Sequence, residues 1–322
     1  MKKITALLLC TALSLSLLAG CGSREEATTI RVGAMSGPTA MGMVKLMSDS
    51  ESGNTENTYE FSDLATEASA LVTPIASGEL DIACVPSNLA STLYNNTDGG
   101  VKVVAACALG VLNLLEKGET ISSVKDLAGK TVYATGQGAV PEYTIRYLLN
   151  ANGIDPDSDV EIIWCADTTE ALSYVSSVDG AIAVLPQPFA TVACSQVEGL
   201  RVVEDLNDAW AETGADSQIV TGVVVVRTEF AEKYPEQLKT FLEEYEASVT
   251  YAQENVSETA ELIANYGIIG KAAVAEKALP KCHIVCLTGD ELKGALEGFL
   301  QIVYDLNPKA VGGSLPGDEF YY

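Results

Sequence analysis

The sequence predicts an α/β protein: two doubly wound lobes joined by two crossing strands, with a ligand cleft between them. Three observations carry that expectation. The chain has 322 residues, 48% apolar and 20% charged, which is material for a large core and, at about 150 residues per domain, for two domains. Residues 30–85 read as strand, Gly-containing turn, helix, strand, helix, strand, and residues 130–185 repeat that order. Two apolar stretches, Val101 to Leu115 and the β-branched Val220 to Arg227, are placed to run between the repeats, and the first is longer than an ordinary strand. Open parallel sheets bind small molecules beyond the carboxyl ends of their strands, so two such lobes facing each other share one site.

The first element is not part of the lobes. Lys2 and Lys3 precede the apolar run Ile4 to Leu18, which ends Leu18-Ala19-Gly20-Cys21. A charged start, an apolar middle and small residues at the end make a secretory signal. The run is shorter than the roughly 20 residues needed to span a bilayer. Its last four residues resemble a bacterial lipoprotein lipobox, which implies cleavage before Cys21 and diacylglycerol on its thiol; an ordinary signal with an incidental Cys is the alternative. Residues 1–20 are thus expected to leave and 21–27 to tether a folded body. The net charge is −25, and −27 once Lys2 and Lys3 are gone (17 basic against 44 acidic). A surface this acidic repels polyphosphate, so nucleic acid is excluded as a partner.

Along the body, Ile30 to Met35 alternates as a strand and breaks at Ser36-Gly37-Pro38-Thr39, with Met43, Val44 and Met47 at helical spacing behind. Tyr59 to Ser62 reads as a strand, Thr66 to Ala76 as a helix, and Leu80 to Val85 as a strand. A helix opening at Pro86-Ser87-Asn88 then runs to about Tyr94. In the second repeat, strand Thr131 to Ala134 leads into the break Thr135-Gly136-Gln137-Gly138-Ala139, and Pro141 suits a helix start. Strand Val160 to Trp164, helix Thr168 to Ser176, strand Gly180 to Leu185 and a helix opened by Pro186-Gln187-Pro188 follow. After Arg227 the chain reads as helices with apolar stripes Leu238-Phe241-Leu242-Tyr245-Val249 and Leu292-Leu296-Phe299-Leu300-Val303, then an irregular tail from Val311. The expected division is 28–112 plus 224–322 for the first lobe and 113–223 for the second.

Six cysteines remain after Cys10 leaves with the signal and Cys21 is acylated: Cys84, Cys107, Cys165, Cys194, Cys282 and Cys286. Export favours disulfides, whereas single cysteines in apolar strands pack as small hydrophobes. Cys282-His283-Ile284-Val285-Cys286 also has the look of a metal clip around the chain's single histidine, although a closed zinc site wants four ligands. Packing, a disulfide and a metal remain open for this pair; no metal is assigned.

The order of these stretches resembles the substrate-binding lipoproteins of ABC importers with the type II periplasmic-binding-protein fold. The branch is the one that takes up nitrate, aliphatic sulfonates, taurine or the thiamine pyrimidine. The residues carrying the likeness are Ser77-Gly78-Glu79-Leu80-Asp81-Ile82 leading to Pro86-Ser87-Asn88, the Asp126 to Lys130 turn with its Thr135 to Tyr143 loop, Leu185-Pro186-Gln187-Pro188-Phe189, and Val223 to Phe230 before Tyr234-Pro235-Glu236. Members often carry Glu where this chain has Gln187. The resemblance implies a monomer that captures a small solute, closes over it and delivers it to a permease with its ATPase. It would work at the outer face of the cytoplasmic membrane, held there by its lipid and using no cofactor.

Three turns are candidates to hold that solute. In the first, Ser36, Gly37, Thr39 and Ala40 precede a helix whose free first-turn amides attract an oxyanion; Thr39 alternatively caps that helix. Asn88, after Ser87, repeats the pattern. The third is Thr135, Gly136, Gly138, Ala139 and Glu142, where two glycines permit close backbone approach and Glu142 either meets a ligand or caps its helix. Gln187 completes the set. Met43 and Met47 are expected in the core, Met35 and Met41 as a pliable apolar wall, and Trp164 and Phe189 either stack on a ring or pack. No Gly-x-Ser-x-Gly elbow or P-loop lysine occurs, so no catalytic residue is assigned. The alternatives are an enzyme resembling the thiamine-pyrimidine synthases, whose cysteine-rich motif is absent, and a surface sensor or adhesion lipoprotein.

Overall fold

A computed structural model describes residues 28–322; the segment 1–20 expected as a signal, Cys21 expected to be lipidated and the expected tether 21–27 lie outside the described residues. β1 (Thr29–Ala34) buries its apolar residues and ends at a loop in which Gly37, at φ 118°, turns the chain into the short α1 (Pro38–Met41). Gly42 and Met43 separate it from α2 (Val44–Glu51). β2 (Thr58–Phe61), α3 (Ser69–Ser77), β3 (Ile82–Pro86) and α4 (Ser87–Asn96) complete the first repeat. The third helical stretch starts at Ser69, not Thr66. A parallel bridge between Met35 and Ala65, with the Ser36 amide donating to the Ala65 carbonyl at 2.8 Å, keeps the chain extended past β2.

The apolar run that reads as one long strand is two. β4 (Val101–Leu109) and β5 (Leu112–Lys117) are interrupted at Gly110-Val111 and belong to different sheets. β6 (Thr131–Ala134), α5 (Val140–Ala151), β7 (Glu161–Trp164), α6 (Thr168–Ser177), β8 (Ile182–Pro186) and α7 (Phe189–Gln196) form the second repeat, followed by β9 (Leu200–Asp205) and α8 (Leu206–Glu212). β10 (Val220–Arg227) does not cross between lobes. It lies wholly in the first sheet, between β3 and β4, and the return passes through α8 and residues 213–219. α9 (Thr228–Lys233), α10 (Pro235–Glu254), α11 (Val256–Asn265), α12 (Ala272–Ala278), β11 (Ile284–Leu287) and α13 (Gly289–Leu306) follow.

The first sheet runs β11-β4-β10-β3-β1-β2 and the second β7-β6-β8-β5-β9. The two repeats are built alike. β1 lies parallel between β2 and β3 with Val32 opposite Ile82; β6 lies parallel between β7 and β8 with Val132 opposite Ile182. An antiparallel strand then flanks each, β10 on β3 and β5 on β8. Both sheets therefore present the ends of β1 and β3, and of β6 and β8, to the region where β4 passes into β5.

One face of the first sheet packs Met41, Met43 and Met47 against Phe241, Tyr245 and Val249 of α10. The apolar cluster on the other face runs from Leu93, Leu296 and Phe299 through Leu112 and Leu114 into Leu148 and Trp210, so the core is continuous across the lobes. The last residues are irregular but held. Phe320 is wholly buried and the Tyr322 amide donates to the Val103 carbonyl. No helix among the described residues is long and apolar enough to cross a membrane.

Candidate functional site

In the first lobe the candidate residues gather at the ends of β1 and β3. Gly37, and not Thr39, occupies the cap position of α1; the Thr39 hydroxyl donates instead to the Met35 carbonyl at 2.8 Å. The capping alternative for Thr39 is thereby removed. Its methyl group occupies the space left by Gly222: a Cβ there would sit 2.5 Å from Thr39 Cγ2. Ala40 is buried below the loop. The Ser87 hydroxyl donates to the Val220 carbonyl, which ties the start of α4 to β10. Asn88 donates through Nδ2 to the Ala310 carbonyl at 3.2 Å, and its Oδ1 is buried without a partner among the described residues.

Thr221 carries no signal in the sequence. In β10 it is the extra residue of a bulge: Val220 pairs with Leu109 and Gly222 with Ala108, so Thr221 has no opposite number. A bulge re-aims one side chain, and the Thr221 hydroxyl is likewise buried and unpartnered.

In the second lobe the loop after β6 places Thr135, Gly136, Gly138 and Ala139 at the strand end. Gly136 (φ 82°) and Gly138 (φ 77°) adopt the left-handed backbone; a Cβ on Gly136 would meet Pro141, while Gly138 faces open space. Glu142 closes this loop on itself. Its Oε2 accepts from the Gly138 amide at 2.7 Å and its Oε1 from Arg146 Nε at 2.8 Å. Arg146 is shared with Asp157, so the carboxylate already has the cationic partner it would otherwise seek in a ligand. Gln187 lies at the end of β8 with 1% of its surface exposed. Its backbone amide donates to the Val111 carbonyl at 2.8 Å, and its Oε1 accepts from the Thr191 hydroxyl at 2.8 Å and from the Thr191 amide. Because a backbone N–H can only donate, Oε1 is the oxygen and Nε2 the nitrogen. That Nε2 is buried with no partner among the described residues.

The remaining candidates separate clearly. Met41 is fully buried in the core with Met43 and Met47, not a wall of the turn, because α1 lies flat against β3, β4 and β10. Met35 and Trp164 pack half-buried against core clusters, whereas Phe189 remains 44% exposed. The six cysteines among the described residues are free thiols. Burial pushes those of Cys282 and Cys286 up to about 12 and that of Cys107 well above its ordinary value. Among the described residues no group of three His, Cys, Asp or Glu could hold a metal; His283 instead stands beside the Gly110 carbonyl.

The resulting arrangement holds an orphan acceptor and a hydroxyl on the first lobe and an orphan donor on the second. Thr221 and Gln187 sit on either side of the Gly110-Val111 link, through the pairings of Val220 with Leu109 and of Gln187 with Val111. The turns hold no free cation, so a negative group there would be met by neutral N–H donors, including the first-turn amides of α4 and α5.

The profile of the NMT1/THI5-like family matches residues 63–259. No curated protein matches the chain. Among solved structures, an ABC transporter protein from Parabacteroides distasonis is similar over 92% of this chain and 99% of its own, at 25% identity and a TM-score of 0.76. The periplasmic aliphatic sulphonate binding protein SsuA of Escherichia coli is similar over 91% and 92%, at 15% identity and 0.73. A Candida albicans protein with the generic periplasmic binding protein fold is similar over 91% and 93%, at 13% identity and 0.55.

Proposed function

The chain belongs to the NMT1/THI5-like family, and from that membership we propose that it is the extracytoplasmic solute-binding lipoprotein of an ABC importer. With the lobe bounds set by the two sheets, 28–111 plus 220–322 and 112–219, the lobes close over a small solute by a hinge at the crossings and deliver it, as a monomer, to a permease with its ATPase. Cys21, lipidated, holds the protein at the outer face of the cytoplasmic membrane. The Parabacteroides and Escherichia proteins support the transport reading, the latter through its sulphonate ligand.

The single observation that carries this reading is the trio Asn88 Oδ1, Thr221 Oγ1 and Gln187 Nε2, buried and unpartnered at strand ends of both lobes. A buried polar group left unpaired costs about 1–3 kcal/mol. Such a cost is sustained where a ligand completes the bonds. Gln187 Nε2 asks for an acceptor and Asn88 Oδ1 for a donor. A solute with an oxyanion at one end and an N–H at the other, a taurine- or pyrimidine-like sulfonate or amine, satisfies both. Ser36, Gly37, Thr39, Ala40, Thr135, Gly136, Gly138 and Ala139 would frame it. Glu142 acts on the solute indirectly, by fixing the loop.

A thermal-shift series with taurine, alkanesulfonates, nitrate and aminopyrimidines tests the proposal. A solute at 100 times its dissociation constant adds about 2.7 kcal/mol. At about 2 °C per kcal/mol for a chain of this size, the expected rise is about 5 °C for at least one compound. No rise with any of them, nor with cell extract, overturns it.

A further inference from the structure

The proposed function leaves unused the motif Cys282 to Cys286, and its histidine has a specific placement. His283 precedes β11 in the first lobe and is one of two described non-glycine residues with positive φ, at 44°. Its carbonyl accepts from the Leu109 amide, and its Nδ1 lies 2.6 Å from the carbonyl oxygen of Gly110. A carbonyl only accepts, so Nδ1 carries the proton. The same carbonyl accepts from Asn207 Nδ2 at 2.8 Å. Asn207 belongs to α8 of the second lobe and is oriented by Asp205, whose Oδ1 accepts from both its backbone and side-chain N–H groups. The 3.2 Å between Asn207 Nδ2 and His283 Nδ1 is therefore two donors side by side on one acceptor.

Gly110 is the peptide at which β4 leaves the first sheet. A Cβ there would lie 2.0 Å from Asn207 Oδ1, so only glycine admits this arrangement. The two lobes also touch beyond the hinge: Trp210 meets Phe299 of α13 with ring centroids 5.8 Å apart, and Asn307 donates to the Tyr143 hydroxyl at 3.2 Å. The carbonyl of the crossing peptide is thus gripped at once by one residue of each lobe.

We propose that His283 and Asn207 form a strap on the Gly110 carbonyl that sets the inter-lobe angle and positions the lobes for solute capture. Its role in solute capture rests on the transport reading, while the angle between the lobes is a property of the fold. The strap exists when both lobes present their donors to one oxygen, so rotation of either lobe about Gly110-Val111 breaks at least one bond. Removing a donor lowers the population of the present arrangement and raises the apparent dissociation constant by the same factor. One hydrogen bond corresponds to about fivefold.

The test uses the mature protein with His283→Gly, His283→Asn and Asn207→Ala. Glycine accepts the left-handed backbone and removes the ring; asparagine tolerates that backbone and restores a short N–H-bearing side chain. Small-angle scattering of the solute-free protein reads the lobe angle, and titration with taurine reads the affinity. His283→Gly and Asn207→Ala are expected to enlarge the radius of gyration and, where taurine binds the wild type, to weaken it about fivefold, with His283→Asn close to wild type. A radius unchanged in both donor-less variants, or equally enlarged in His283→Asn, overturns the strap. Failure of taurine and other sulfonates to bind the wild type, with the radii still separated, counts against the transport reading and leaves the strap standing.

Discussion

Gln187→Met is the substitution that separates a residue kept for a ligand from one kept for the fold. Methionine preserves length and unbranched shape in a position with 1% of its surface exposed, so cavity and overpacking effects are small. Two polar effects then oppose each other. The bonds to Gln187 Oε1 from the Thr191 hydroxyl, 2.8 Å long, and from the Thr191 amide, 3.3 Å long, are lost at about 1 kcal/mol each. The orphan Nε2 is lost too, which relieves about 1–3 kcal/mol of unsatisfied burial. The solute-free variant should stay within about 1 kcal/mol of wild type, a melting point within about 2 °C of it. Binding moves the other way. An N–H to an anionic acceptor contributes about 1.5–3 kcal/mol, so affinity for the solute found by thermal shift should fall about tenfold to a hundredfold. Calorimetric titration beside a melting curve reads both. A melting point lowered by 4 °C or more with unchanged affinity would refute the reasoning, since it would mean that Nε2 has a structural partner.

Other predictions follow from separate parts of the molecule. Burial pushes the Glu116 carboxyl up, but hydrogen bonds from Thr120, Ile121 and Arg201 outweigh it and hold the group below its ordinary value. Its contribution is therefore complete above the unfolded value near about 4.3 and is lost as pH falls below it; denaturant midpoints should drop there in wild type and drop less in Glu116→Gln. In the native protein at pH 8 a thiol reagent should modify Cys194 first, with Cys84, Cys107 and Cys282 reacting only on unfolding, because they are wholly buried; fast labelling of Cys282 would contradict the packing. Cys21→Ser should release the protein from the membrane fraction, since acyl chains contribute about 0.8 kcal/mol per buried methylene; full retention on membranes would refute lipidation.

The sequence by itself determined the two repeats, because alternation in Ile30 to Met35, helical spacing in the apolar stripes, and Gly or Pro at the breaks are local signals. It also placed Gly37, Asn88, Gly136 and Gln187 at strand ends, since a residue following a strand is at its end wherever the strand goes. Tertiary structure alone decided what those residues do there. In the sequence Glu142 fits a ligand contact or a cap equally; in the fold its carboxylate spans the Gly138 amide and Arg146. Val101 to Leu115 looks like one strand because its residues are uniformly apolar; only the Asn207 side chain pressing on Gly110 from 97 residues away shows why it breaks. Thr221 is one β-branched residue among several, singled out by a register shift against Leu109 and Ala108. His283 looks like a metal ligand beside two cysteines, yet the partner it meets is a carbonyl 173 residues distant in the chain. Hydrogen bonds of that separation depend on the register of strands and the angle between lobes, and no periodicity within a segment encodes either.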